Sequence, residues 1–290
     1  MKLCSFQKDG VYGFGPTDGR TVRDVSDRAA GTGWRDLKHL LSLAGPDQIA
    51  AAADRCEAIP VSEIRFEQPI PNPEKILCVG LNYADHAGET KIATPDMPSI
   101  FVRFPSSQVG HLEPVVAPTV SDTFDFEGEL AVVIGKPARG VSEAQAMAHV
   151  AGYTIFGEHS VREWQFHSRQ ATPGKNFWRS GSIGPWITTA DEIPDPTKLR
   201  LVTRLNGKEM QNDTVDHLIF KIPYLISYMS GFTELLPGDI ISTGTPSGVG
   251  FARDPKIYLK PGDEIEVQID PIGTLRNSVV AEAGYQRDGA

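Results

Sequence analysis

The sequence predicts an α+β fold that is predominantly β, and three observations carry that prediction. From residue 75 onward, apolar and β-branched runs such as Lys75-Ile-Leu-Cys-Val79 and Leu130-Ala-Val-Val-Ile134 dominate, the composition of buried strands. Turn signals punctuate these runs at Asn206-Gly207, Pro237-Gly-Asp239 and Pro261-Gly-Asp263, where glycine supplies backbone angles other residues avoid. Helical patterns are few. At 290 residues, with 40% hydrophobic and 22% charged residues, the chain is long enough to bury a large core.

Residues 1–68 read as a small N-terminal α/β domain. Leu3 to Phe6 and Val11 to Phe14 flank a Lys-Asp-Gly turn, and Trp34 to Leu43 has helical apolar spacing. Pro69-Ile-Pro-Asn-Pro73 reads as a stiff linker that opens the larger domain, residues 69–290. There, Lys75 to Val79 is a buried strand running into Gly80-Leu-Asn-Tyr-Ala-Asp-His86. Ser142, with Gln145 in the capping-box position, starts a helix that Gly152 can close. His217 to Met229 is a further helix, with Pro223 inside it.

The net charge of −9 argues against a nucleic-acid or anionic-membrane partner, both of which need a basic face. The N-terminus lacks a signal-peptide pattern and no run is long enough to span a membrane, so a cytoplasmic location is expected. Cys4, Cys56 and Cys78 form no disulfide or zinc pattern. There is no phosphate-binding glycine loop and no repeat.

Chemistry concentrates in four segments. In Phe124-Asp-Phe-Glu-Gly-Glu-Leu130, Glu127 and Glu129 are two apart on an expected strand, so both project to one face. With Glu158 converging on them, the mutual repulsion is resolved most simply by a hard divalent cation. Gly128 between them suggests close approach by another segment, and Asp125 shares their parity. In Asn82 to Glu89, a helical turn would bring His86 and Glu89 together, the carboxylate orienting the ring as a base. Glu158, Arg162 and Gln165, at i, i+4 and i+7, would share a helical face, where a cation and an amide can hold a carboxylate-bearing substrate above a metal. Lys175 sits in a loop rich in Gly, Pro and aromatics; it can stabilise an oxyanion, or donate a proton if neighbouring positive charge lowers its pKa.

Gly80-Leu-Asn-Tyr-x-x-His86-x-x-Glu89, Phe126-Glu-Gly-Glu129-Leu, Gly152-Tyr-Thr-x-x-x-Glu158-x-Ser-x-Arg162-x-x-Gln165, Gly174-Lys175-Asn-Phe and Ser242-Thr-Gly-Thr-Pro-Ser-Gly-Val-Gly250 resemble, in order, the motifs of the fumarylacetoacetate hydrolase family. The resemblance spans roughly residues 75 to 278. It implies a mixed β-sandwich and roll, a homodimer, and Mg²⁺, or Mn²⁺ or Ca²⁺ in its place, held by Glu127, Glu129 and Glu158. The third ligand in the family is most often Asp, so Glu158, one methylene longer, departs from the pattern, as does Glu163 after the arginine.

Combining resemblance and chemistry, the expected activity is hydrolysis of a C–C bond in a 1,3-diketo acid such as an acylpyruvate or a diketo-deoxy sugar acid. Arg162, Gln165 and Thr245 hold the acid, His86 with Glu89 deprotonates the attacking water, and Lys175 with the metal steadies the enolate. An oxaloacetate-type decarboxylase or a keto–enol isomerase is the alternative on the same scaffold, and a non-catalytic metal- or ligand-binding protein is a further one. Arg103 is the expected second arginine of the substrate pocket.

Overall fold

The structure, a computed structural model, describes residues 1–84 and 96–286. His86 and Glu89 lie outside the described residues. Near the N-terminus, Asp9 and Gly10 take φ of 51° and 75°, as a tight hairpin turn needs. Lys2–Lys8 and Val11–Thr17 accordingly pair from Lys2↔Thr17 to Lys8↔Val11. The helix Leu37–Leu43 begins where the Asp36 carboxylate accepts from His39 N at 2.7 Å, satisfying an amide the helix cannot.

The N-terminal strands join the largest sheet of the chain, together with strands from beyond residue 75. Lys2 and Leu3 pair with Thr188 and Ile187 of Gly181–Thr189, and the sheet continues through Val150–Gly157, Gly128–Ile134, Ile240–Ser242, Ile76–Gly80 and Ser99–Arg103. Most neighbours are antiparallel, whereas Ile240–Ser242 and Ile76–Gly80 run parallel. A second sheet, ordered Lys208–Thr214, Arg200–Leu205, Glu264–Ile269, Gly273–Ala281, Val115–Ala117, packs on one face of the first.

Gly128–Ile134 lies between two cores and is buried along its whole length. Leu130, Val132 and Ile134 pack with Leu201, Val267 and Ile269 of the second sheet. Ala131 and Val133 pack with Leu3, Phe14, Leu37 and Leu40 on the other side. Each such aliphatic side chain contributes about 1.5–3 kcal/mol when taken fully out of water, so the strand that carries Glu129 is held rigidly from both faces. The protein is therefore α+β and mainly β, as expected. No described helix is long and apolar enough to cross a membrane.

Several expected elements differ. The helix from Ser142 is one turn, Glu143–Ala146, because the chain tightens at Met147–His149 and enters the strand Val150–Gly157, with Gly152 inside it. The later helix is Ile222–Phe232, with Pro223 in its first turn, where a missing N–H costs nothing. The stiff segment of residues 69–73 is packed against the N-terminal strands: Ile70 is fully buried, and Ser5 Oγ donates to Pro69 O at 2.8 Å.

Candidate functional site

The site forms where paired strands end. Gly128–Ile134 and Val150–Gly157 are antiparallel with Gly128 opposite Gly157, so extending the register by one residue sets Glu127 against Glu158. Glu158 N donates to Glu127 O at 2.8 Å, closing the pair. Glu129 is the second residue of its strand and points away from the second sheet, as Ala131 and Val133 do. Carboxylate oxygens of Glu127, Glu129 and Glu158 lie within 4.8 Å of one another, and all three residues are buried.

Gly128 is required here. A β-carbon on it would stand 2.2 Å from Thr203 Oγ1 and 2.9 Å from Val267, so the close approach is by side chains of the second sheet. Asp125 and Glu127 are not on one continuous strand with Glu129: Phe124–Asp125 pairs separately with Ser160–Val161.

Each carboxylate has its own support. Glu129 Oε2 accepts from Ser242 Oγ at 2.6 Å and Gly244 N at 2.9 Å. Arg162 Nη1 approaches Glu127 Oε1 at 2.6 Å, and the same guanidinium donates from Nε to Asp125 Oδ2 at 2.8 Å and from Nη1 to Gln165 Oε1 at 3.0 Å. Lys175 Nζ bridges Glu127 Oε2 at 2.8 Å and Glu158 Oε2 at 2.9 Å. Glu158 Oε1, in contrast, is buried with no hydrogen-bond partner; the Cys78 thiol lies beside this carboxylate.

Burial pushes the Glu129 carboxyl well above its ordinary range, and the charges of Glu158 and Glu127 push the same way. Glu158 is also raised, by burial first, against the pull of Lys175. Burial alone would lower the Lys175 pKa, but Glu127 and Glu158 outweigh it and raise it. The lysine is thus a fixed cation, not the readily titrating donor that positive neighbours would make. Four buried carboxylates, with Asp125, face three buried cations, Arg103, Arg162 and Lys175, which leaves one net negative charge.

A hard divalent cation fits this donor set. The oxygens converge, one of them is an orphan, and the carboxylates resist ionising together unless positive charge is added. Glu158 reaches the cluster despite its extra methylene. The cavity in front of it holds about 60 Å³ and is lined by the polar residues Glu127, Glu129, Glu158, Arg162, Gln165, Lys175 and Thr245 and by Val79, Gly80, Leu81 and Phe101.

Other sequence-derived residues are placed as follows. Arg162 and Gln165 lie in the short helix Arg162–Gln165, but Glu158 precedes it on non-helical backbone, so the three converge through the Ser160–Val161 pairing and not along one helical face. Thr245 Oγ1 donates to Gly128 O and accepts from Gln211 Nε2, 2.9 and 2.8 Å. Arg103 is buried behind the cluster and donates to Ser180 Oγ at 2.9 Å, to His159 O at 3.2 Å and to Ser107 Oγ at 3.3 Å; it does not line the cavity.

Sequence reasoning missed Ser242, Gly244, Gln211 and Asn82. Asn82 Nδ2 donates to Thr243 O at 2.8 Å and its Oδ1 accepts from Phe220 N at 2.7 Å, tying the first motif to the last. Their signal was present, since Asn82, Ser242 and Gly244 fall within quoted motifs. His159 was assigned no role; its ring is buried, without hydrogen-bond partners, and its pKa is driven down to about 3 by burial and then by Arg103.

Comparison with known proteins shows the family. The family described as Fumarylacetoacetate (FAA) hydrolase C-terminal matches residues 75–280. The chain is 42% identical over 232 residues to the bovine mitochondrial oxaloacetate tautomerase FAHD2A, covering 79% of this chain and 74% of that protein. Among solved structures, a fumarylacetoacetate hydrolase from Exiguobacterium antarcticum superimposes with a TM-score of 0.86 at 31% identity, over 97% of this chain and 100% of that one. Maleylpyruvate hydrolase from Sphingobium sp. SYK-6, in complex with manganese(II) and pyruvate, gives 0.81 at 30% identity, over 97% and 99%.

Proposed function

The chain belongs to the fumarylacetoacetate hydrolase family, and we propose that within it this protein is a divalent-metal-dependent enzyme that interconverts the enol and keto forms of a short β-keto acid of the oxaloacetate type. The observation that carries this is the buried carboxylate triad with its orphan Glu158 oxygen, facing a small cavity lined by both polar and apolar residues. The tautomerase name of relatives at 41–42% identity supports the choice among the family's reactions.

Glu127, Glu129 and Glu158 would hold the metal, with Mg²⁺ or Mn²⁺ suiting three carboxylates. Such an ion supplies Lewis acidity toward a keto-acid's oxygens, which acidifies the neighbouring carbon. With a divalent ion the cluster's net charge becomes +1, which suits a singly charged chelating end. Lys175, held cationic by Glu127 and Glu158, stands at the same mouth and stabilises negative charge developing on the ketone oxygen. Arg162 fixes Glu127, and Gln165, joined to it, presents its amide to the cavity. We assign the proton transfer at the α-carbon to His86, oriented by Glu89. The same parts serve C–C hydrolysis, a second reading favoured by the likeness to the maleylpyruvate hydrolase. A homodimer in the cytoplasm completes the proposal.

The test is direct. Purified protein with Mg²⁺ or Mn²⁺ is given enol-oxaloacetate, and loss of the enol absorbance is followed with and without metal. Metal-dependent acceleration, abolished in His86→Asn, supports the proposal. Acylpyruvate cleavage with ¹⁸O from solvent entering a new carboxylate would replace it with the hydrolase, and tight binding without turnover across the panel would leave a ligand-binding protein.

A further inference from the structure

Leu81 lines the apolar end of the cavity in front of the carboxylates, and its backbone has a φ of 57°. That left-handed conformation crowds the β-carbon of any residue except glycine, and an aliphatic side chain rarely adopts it. Asp9 and Asn206 share it before glycines in hairpin turns, where short polar side chains tolerate it, and Leu112 and Arg179 share it in turns elsewhere. Of these five, Leu81 is the one that lines the cavity in front of the carboxylates.

The conformation is imposed from both sides. Upstream, Ile76–Gly80 is clamped between a parallel and an antiparallel neighbour. Downstream, Asn82 is fixed by Thr243 O at 2.8 Å, Phe220 O at 3.1 Å and Phe220 N at 2.7 Å. A glycine would fit this backbone without strain, so a leucine there points to a use for its side chain. The position of that side chain says what the use is. Val79, Leu81 and Phe101 supply the apolar lining beside Glu127, Gln165 and Lys175, whose Nζ lies 5.0 Å over the Phe101 ring, and the space they enclose holds about 60 Å³, room for a few waters. In a cavity so small, one added methyl group on a bound acid is felt.

We infer that Leu81 is a specificity-determining residue: its side chain closes the apolar end of the cavity and limits the enzyme to 2-oxo acids without an alkyl branch on carbon 3. This rests on the keto-acid reading and deepens it by naming the substrate class. With the chelating carboxylate and ketone toward Glu127, Glu129 and Glu158, carbon 3 is the next atom of the acid and the first to reach Leu81.

Leu81→Gly and Leu81→Ala test the inference in the full chain with Mn²⁺. The first removes the side chain and the strain together; the second keeps a β-carbon should the first fail to fold. Turnover of oxaloacetate and 3-methyloxaloacetate is compared in each. The wild-type chain is expected to prefer the unbranched acid by tenfold or more in kcat/KM, and both variants to cut that preference at least fivefold, mainly through KM. Competitive binding of pyruvate against 3-methyl-2-oxobutanoate should shift in the same sense, a readout that does not need catalysis. Preferences within twofold of wild type in both measurements overturn the role of Leu81 and leave the keto-acid reading standing. Failure of the wild-type chain with Mn²⁺ to turn over or bind any of these acids overturns the reading itself, and the inference with it.

Discussion

Replacing Asp125 by alanine removes the junction between the buried carboxylate cluster and the turn Gly250–Ala252. The Asp125 carboxylate is fully buried. It accepts from Gly250 N at 2.7 Å, Phe251 N at 3.0 Å and Phe126 N at 2.8 Å, and from Arg162 Nε at 2.8 Å. Alanine leaves amides without an acceptor and a buried guanidinium with Glu127 as its remaining carboxylate partner. Breaking a buried ion pair on one side costs about 3–5 kcal/mol, and each orphaned donor adds about 1–3 kcal/mol where water cannot reach it. A loss near 4 kcal/mol is expected, allowing for relaxation, which corresponds to a fall in Tm of roughly 7 °C for a chain of this size. Urea denaturation followed by tryptophan fluorescence measures it. Because Arg162 also steadies Glu127, Mn²⁺ should bind more weakly to the variant under conditions where it is still folded. A loss below 1 kcal/mol would refute the view that Asp125 joins these elements.

Gly128→Ala should destabilise the fold by about 1–3 kcal/mol, because the new methyl would collide with Thr203 and Val267; thermal denaturation reads this. His111 is pushed down to about 4 by burial first and by Arg276 second, and its Nδ1 accepts from Arg276 N at 3.1 Å. Its folded pKa lies below its unfolded value, so the unfolded chain binds the extra proton, and stability falls as pH drops from about 6.5 toward 4; His111→Gln should flatten that slope in urea melts run across this range. Metal affinity should also weaken as pH falls, because protons compete for Glu129, whose carboxyl burial holds above its ordinary range; calorimetric titrations in buffers of differing ionisation heat would register the released protons.

The strands and the acid cluster were readable because they rest on local pattern. β-branched runs marked Gly128–Ile134 as buried, and the acids did converge, although Glu127 precedes that strand and reaches the cluster through its pairing with Glu158 rather than through period-2 spacing. The misreadings came where distant contacts override spacing. Glu158, Arg162 and Gln165 fit a helical period, yet residues 150–157 are drawn into the sheet by Gly128–Ile134 and Gly181–Thr189, and the helix can begin only at Arg162. The partners of Glu129, Ser242 and Gly244, are more than a hundred residues away. Their side chains carried no local pattern tying them to a particular acid. Arg162 looked like a substrate anchor from its charge, but Asp125 and Glu127 already surround it. The sign of the Lys175 shift likewise depends on which charges stand nearest, and those are carboxylates.

The central claim is that three buried glutamates form a site for one divalent cation. Isothermal titration of Mn²⁺ into the metal-free chain, beside Glu129→Gln, tests it without reliance on turnover. One Mn²⁺ per chain is expected, with affinity falling about a hundredfold or more in the variant while circular dichroism shows the fold retained. Equal Mn²⁺ affinity in the two proteins, or no binding to the unaltered chain, would contradict the claim.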